Sequence, residues 1–118
     1  MPKNSITDLI KNYLEAIKET EKHGRKVGQM LVKALKPIIP DIDYSLGWAE
    51  AGVDTICLWS KKHKAIRVAD EKAIHLTEII EEVFGEELRW HIDCPFGIWL
   101  LPEEARKVKE VLKRLKEN

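Results

Sequence analysis

The 118-residue chain has no net charge and lacks any long apolar run. Its 20 lysines and arginines balance 20 aspartates and glutamates, so it has no overall positive potential of the kind that draws proteins onto nucleic acid or anionic lipid. No stretch approaches the ~18 apolar residues that a membrane span needs. No apolar run follows Lys3, as a signal peptide would require. We therefore expect a cytoplasmic protein without membrane association.

Cysteine, glutamine and catalytic motifs are also scarce. Cys57 and Cys94 are the only cysteines, and in an intracellular chain we expect them to be reduced and unreactive. Gln29 is the only glutamine, a usage that resembles heat-adapted proteins. Neither H-E-x-x-H, nor paired C-x-x-C spacing, nor a glycine-rich phosphate loop occurs. The sequence thus predicts no cofactor and no metal site, and it favours a protein that is not an enzyme.

What the sequence does contain is one apolar stripe that keeps helical phase from Ser5 to Lys36. Its members recur at about 3.6 residues per turn: Ile6, Leu9, Ile10, Tyr13, Ile17, Val27, Leu31 and Leu35. The phase continues across Gly24, which favours one unbroken helix ending before Pro37. Such a helix of ~32 residues would be about 48 Å long, whereas a compact chain of this size has a radius of gyration of about 13–14 Å. Part of the stripe must overhang the fold, bend or meet a second chain.

The rest of the chain predicts an α+β fold in a single domain over residues 1–118. A period-two pattern over 43–49 predicts a half-buried strand, and 53–60 is apolar on both faces, as a central strand would be. With a return over 65–68, these segments predict a three-stranded antiparallel meander. Asp70 is the predicted cap of a helix over 71–84, which Gly85 ends. A β-hairpin over 88–93 and 98–101 follows, and Pro102 opens a C-terminal helix. We expect one five-stranded, mostly antiparallel sheet with the helices packed on one face.

The first function hypothesis is a non-enzymatic interaction module that uses the N-terminal helix. Apolar and small residues alternate at spacings of four and three, which is compatible with heptad packing. The predicted interface consists of Ile6, Ile10, Tyr13, Ile17, Thr20 and Gly24. We expect the C-terminal half of the helix to pack on the sheet while the first half meets a partner. That partner is a second copy, with a dimer favoured, or another protein.

Two alternatives use other residues. A nucleic-acid-binding protein would combine aromatic stacking with phosphate contacts on a sheet face and on a charged hairpin tip. Its candidate residues are Trp59, Lys61, Lys62, Lys64, Arg67 and Arg89. A small enzyme or metal site would use Arg89, His91 and Asp93, which alternate along one strand. An ordinary exposed polar strand explains the same residues, and the sequence does not fix the register between strands.

Overall fold

The computed structural model describes residues 2–49, 52–66, 71–85, 91–93 and 98–117, and for 2–5, 48–49, 52–54 and 91–93 it describes the backbone only. In chain order the elements are α1 (Pro2–Leu35), β1 (Asp43–Ala49), β2 (Gly52–Trp59), a 3₁₀ turn (His63–Ala65), β3 (Ile74–His75), α2 (Leu76–Phe84), β4 (His91–Asp93), β5 (Trp99–Leu100) and α3 (Pro102–Glu117). The predicted α+β class is confirmed. No helix among these residues combines the length and the apolar character needed to cross a bilayer.

Helix α1 is one continuous helix, as the unbroken phase of its stripe predicts. It runs from Pro2 through Gly24 and ends at Leu35, before Pro37; only its start precedes the expected Ser5. The molecule measures 61 × 31 × 21 Å, and its radius of gyration is 17.1 Å, compared with about 13–14 Å for a compact chain of this length. The excess length is that of α1, whose N-terminal half overhangs the fold.

The strands form two sheets instead of the predicted five-stranded one. β1 and β2 pair antiparallel, and β3 and β5 form a separate antiparallel pair. β4 runs parallel to β2 on the side away from β1, so β2 is central, as its apolar run predicts. The predicted hairpin over 88–93 and 98–101 is wrong because β4 and β5 have different partners.

The physical reason lies in the connections and in the strand lengths. Parallel neighbours need a crossover of about a dozen residues or more, usually with a helix, and α2 provides that crossover between β2 and β4. β3 and β5 have two residues each, which is too short to show the alternation on which strand prediction depends.

The third predicted meander strand, 65–68, is also wrong where the structure describes it. Ala65 belongs to the 3₁₀ turn and Ile66 continues in helical conformation. Arg67 and residue 68 lie outside the described residues. The chain bends here because the side chain of His63 is buried and hydrogen-bonded in the protein interior.

Helix α2 begins at Leu76 instead of residue 71. Glu71 and Lys72 form a turn, and the predicted cap Asp70 lies outside the described residues. The backbone N–H of Thr77 donates to Nδ1 of His75 (3.2 Å), so His75 caps the helix. The end of α2 is as predicted, because Gly85 follows Phe84 with a φ of 57°, a conformation that favours glycine.

The core joins the second half of α1 to the strands and to the other two helices. Its fully buried members come from every layer: Leu31 and Leu35 of α1, Ile56 and Leu58 of β2, Leu76 and Ile80 of α2, and Val108 and Leu112 of α3. In β2 the side chains of Ile56 and Leu58 are buried, and those of Thr55, Cys57 and Trp59 are half-buried. Because alternate side chains of a strand point to opposite faces, only one face of β2 is fully packed.

At Gly28, α1 lies in close contact with the sheet. A methyl group added to its Cα would lie 2.6 Å from Cε2 of the Tyr44 ring in β1. Only a residue without a side chain allows this approach. The apolar side of α1 therefore has a notch at Gly28, and the Tyr44 ring occupies it.

Candidate interaction surface and the buried polar cluster

The first half of α1 presents a continuous exposed apolar surface, which we call the overhang stripe. Its members and their exposed fractions are Ile6 (68%), Leu9 (67%), Ile10 (57%), Tyr13 (60%) and Leu14 (53%), with the half-buried Ile17 at its inner end. They are spaced three, four and seven residues apart and so occupy one side of the helix. Soluble proteins seldom leave such a patch uncovered unless it is an interaction site.

The overhang stripe ends where α1 enters the body of the protein. Thr20 is exposed, and its hydroxyl donates to the backbone carbonyl of Ala16 (2.8 Å). Gly24, the last residue of the predicted interface, is buried within the single chain. Glu21 and Arg25 form a long ion pair (3.9 Å) along the helix. Two glycines and a change from exposed to buried side chains therefore mark the boundary between the two halves of α1.

The other sides of the overhang are polar. Asp8, Lys11, Glu15, Lys18 and Glu19 are all exposed. This mixture of both charges keeps the helix hydrated everywhere except along the apolar stripe, which is the pattern of a helix that packs with one side only.

The structure brings together three of the six residues predicted to contact nucleic acid. Trp59, Lys61 and Lys64 line one cavity of about 320 Å³, together with Ser60. Lys62 is exposed, and its backbone N–H donates to Oδ2 of Asp41 (2.9 Å). Arg67 and Arg89 lie outside the described residues. The expected hairpin tip is a turn followed by the 3₁₀ segment, so the lysines surround a short helical turn.

The predicted polar strand is described only through its backbone. His91 pairs with Thr55 and Asp93 pairs with Cys57 in the parallel register of β4 on β2. Their side chains, and all of Arg89, lie outside what the structure describes. Among the described side chains, no group of three or more histidine, cysteine, aspartate and glutamate residues could hold a metal ion.

A buried polar cluster that the sequence did not reveal centres on His63. His63 is fully buried and Ser60 is 1% exposed. The Ser60 hydroxyl donates to Oδ1 of Asp41 (2.6 Å), and its oxygen lies 3.2 Å from Nδ1 of His63. On the other side of the ring, Nε2 lies 2.8 Å from Oε2 of Glu104. Because the serine hydrogen points to Asp41, the Ser60 oxygen is an acceptor toward Nδ1, and the Glu104 carboxylate is an acceptor on the other side of the ring.

Glu104 also contributes to the start of α3. Its Oε1 accepts a hydrogen bond from the backbone N–H of Leu101 (3.4 Å), the residue just before Pro102. A glutamate at the third helical position that bonds back to the capping residue is half of a capping box. The cluster thus connects three segments: the loop between α1 and β1, the turn after β2, and the first turn of α3.

The cluster resembles a serine–histidine–carboxylate array in composition, but its geometry is structural. The Ser60 hydroxyl is buried and donates to Asp41, whereas a serine nucleophile would donate to the histidine that activates it. The pKa of Asp41 lies below its ordinary value, chiefly because of the hydrogen bond from the Ser60 side chain and secondly because of the Lys62 backbone N–H. These bonds stabilise the charged carboxylate.

One local signal could have identified this cluster. Ser60 stands three residues before His63, and its Oγ accepts the His63 backbone N–H (3.4 Å), the geometry of a serine that caps a short helical turn. The surrounding lysines instead suggested a solvated tip. The partners Asp41 and Glu104 are distant in sequence, so no spacing rule could have found them.

No protein-family model, curated protein or solved structure matches this chain. Its function is therefore argued from its own surfaces.

Proposed function

We propose that this protein is a self-associating interaction module that uses the overhang stripe of α1. The single observation that carries the proposal is the exposure of Ile6, Leu9, Ile10, Tyr13 and Leu14, each of which is more than half accessible. A helix segment without tertiary contacts is only marginally stable in water. A second molecule that covers this side would stabilise the segment as well as bury its apolar surface.

A comparison of the free energy gained by burial with the free-energy cost of association favours a reversible association. Full burial of one large apolar side chain is worth roughly 1.5–3 kcal/mol. If half of this is gained for each of the five side chains on two chains, the total is about 8–15 kcal/mol, whereas association costs roughly 4–15 kcal/mol. We therefore expect an equilibrium between monomer and dimer that depends on protein concentration.

The test replaces Ile10 and Ile17 with glutamate and measures mass by sedimentation equilibrium over a range of concentrations. The matched control carries Lys11→Glu and Lys18→Glu, which have the same spacing on a charged side of the same helix. We expect the wild type and the control to associate. The Ile10→Glu, Ile17→Glu variant should be a folded monomer with unchanged tryptophan fluorescence.

Two results would overturn the proposal: a wild type that stays monomeric at high concentration, or a folded double variant that keeps the wild-type mass. Ile17 is half-buried, so its substitution could also disturb the body. A second variant, Ile6→Glu with Ile10→Glu, changes only residues that are more than half exposed and gives the same test without that complication.

One observation favours a second candidate function, the binding of single-stranded nucleic acid. Trp59, Lys61 and Lys64 line a common cavity, which combines a stacking surface with two amines. This function predicts that an oligonucleotide quenches tryptophan fluorescence at about 50 mM salt and that the quenching weakens steeply as salt rises. Trp59→Leu should abolish the quenching, and the absence of quenching in the wild type would exclude this candidate.

A further inference from the structure

The overhang stripe and the buried half of α1 lie on the same side of the helix. Eighteen residues make five turns at about 3.6 residues per turn. Each stripe residue therefore has a counterpart 18 residues later at the same angular position around the helix. The pairs are Ile6 with Gly24, Ile10 with Gly28, Tyr13 with Leu31, and Ile17 with Leu35. The second member of each of these four pairs is buried, and Val27 and Val32, the counterparts of Leu9 and Leu14, are half-buried. One continuous side of α1 is therefore covered in its second half and open in its first.

The cover over the second half is the protein's own sheet. The Tyr44 ring of β1 lies against Gly28, and Leu31 and Leu35 are in the core with Ile56 and Leu58 of β2. The sheet thus occupies the space in front of the helix at Gly28 and beyond. A partner that covers the overhang stripe can therefore extend along α1 only as far as the point where this sheet begins.

This constraint excludes a parallel pair in which the two α1 helices stay in contact along their whole length. In a parallel dimer the two stripes face each other along their whole length, and both sheets would then have to lie in the gap between the two helices. Interaxial distances of packed helices are about 8–10 Å, which leaves no room for even one sheet, since a packed sheet needs about 10 Å of its own. In an antiparallel pair each sheet lies beyond the N-terminus of the other helix.

The positions of the stripe residues also select a register. The stripe is symmetric about the point between Lys11 and Asn12. A twofold axis at that point places Ile6 opposite Ile17 of the second copy, Leu9 opposite its Leu14, and Ile10 opposite its Tyr13. Every stripe residue then meets another stripe residue, as an isologous contact requires.

Steric limits on both sides support this register. With the axis between residues 11 and 12, Pro2 of the second copy lies level with Glu21, just before the buried Gly24. A shift of one heptad toward the body would bring Pro2 of the second copy level with Gly28, where Tyr44 lies. A shift of one heptad the other way would place Leu14 level with Pro2 and Tyr13 level with Lys3, instead of with stripe residues.

We infer that two copies of this chain pair through antiparallel α1 overhangs, with the twofold axis between Lys11 and Asn12. This inference rests on the proposed self-association and adds its geometry. The two bodies lie at opposite ends of a central pair of helices. The overhang of each copy covers the same side of α1 that the sheet covers further along.

The test measures distances between nitroxide labels in the full-length protein by pulsed electron resonance. In a background with Cys57→Ala and Cys94→Ala, single cysteines replace Asn12, Glu15, Lys18 and Lys22 in turn. All four positions lie outside the stripe. At 1.5 Å per residue the axial separation between equivalent labels should be about 2, 11, 20 and 32 Å. The measured distances should therefore increase steadily from position 12 to position 22.

Each alternative result has a defined meaning. Equal distances at all four positions would show a parallel dimer and overturn this inference, while self-association would stand. A shortest distance at position 15, 18 or 22, or axial separations about 10 Å longer than these at every position, would place the axis elsewhere and overturn the register. A monomeric mass without any intermolecular distance, for labelled and wild-type protein alike, would overturn the proposed function itself.

Discussion

The two halves of α1 have the same helical pattern and opposite surroundings. In the first half, Ile6, Ile10 and Tyr13 are more than half exposed. In the second half, Leu31 and Leu35 are completely buried. An apolar stripe thus shows that a side of a helix will be covered, but it does not show by what.

The residue types differ in a way that fits this contrast. Where the protein's own sheet approaches, α1 has Gly24 and Gly28, and a methyl group at Gly28 would overlap the Tyr44 ring. At the equivalent places upstream it has Ile6 and Ile10. Small residues allow a close sheet, whereas large ones provide the knobs for packing against another helix.

The largest difference between the halves should appear when a stripe residue is truncated. Leu31→Ala removes a fully buried side chain and should lower the free energy of unfolding by about 2–5 kcal/mol. Tyr13→Ala, five turns upstream, should cost at most about 0.5 kcal/mol in the monomer. Urea unfolding at protein concentrations low enough to keep the chain monomeric measures both. A large loss of unfolding free energy for Tyr13→Ala under these conditions would mean that the overhang packs against the rest of its own chain.

A smaller effect is expected from added methyl groups. Gly28→Ala gains about 1 kcal/mol of helix propensity but must displace the Tyr44 ring at a cost of about 1–3 kcal/mol, so we expect a net loss of stability. Thr20→Ala, on the same side in the exposed half, should change the unfolding midpoint little. Combining Gly28→Ala with Tyr44→Ala should turn the glycine substitution into a gain. Stabilisation by Gly28→Ala alone would contradict the close approach of helix and sheet.

The smallest effect concerns stability at acid pH, which depends on a carboxylate in the body of the protein and not on the overhang. The pKa of Asp41 is lower in the folded protein, chiefly because of the Ser60 hydroxyl. The stabilisation is therefore present above the ordinary aspartate pKa of about 3.9, and it is lost as pH falls through the lower folded value. Asp41→Asn should make the decline of stability below about pH 4 shallower, as measured by thermal unfolding at several pH values.

Ser60→Ala is the matched variant for this prediction, because it removes the hydrogen bond that is the main cause of the shift. It should make the acid decline shallower in the same way, although burial of Ser60 means that it also lowers stability at neutral pH. An unchanged acid decline in both variants would show that Asp41 does not contribute to it.

Local patterns predicted the elements with strong signals. The continuity of α1 followed from the phase of its stripe, and β1 lies at the predicted residues Asp43–Ala49. The start of α3 followed from Pro102, and the end of α2 from Gly85. Each of these depends on residues within a few positions of one another, so the sequence contains the whole cause.

Long-range partners were not predictable in the same way. The pairing of β3 with β5 depends on two-residue strands, and the burial of His63 depends on Asp41 and Glu104 from distant parts of the chain. The later start of α2 has the same origin, because Ile74 and His75 pair with β5 before the helix begins. Tertiary hydrogen bonds here override local propensity.

By itself, the sequence determined that α1 is one amphipathic helix too long for a compact fold, because helical phase and rise per residue are local properties. The sequence also predicted that the C-terminal half of the helix packs on the sheet, but only the tertiary structure decided which strands and side chains cover it. The Tyr44 ring of β1 lies against Gly28, and Ile56 and Leu58 of β2 are in the core with Leu31 and Leu35. Burial is a property of neighbours in space, and those neighbours come from strands that the helix sequence does not specify.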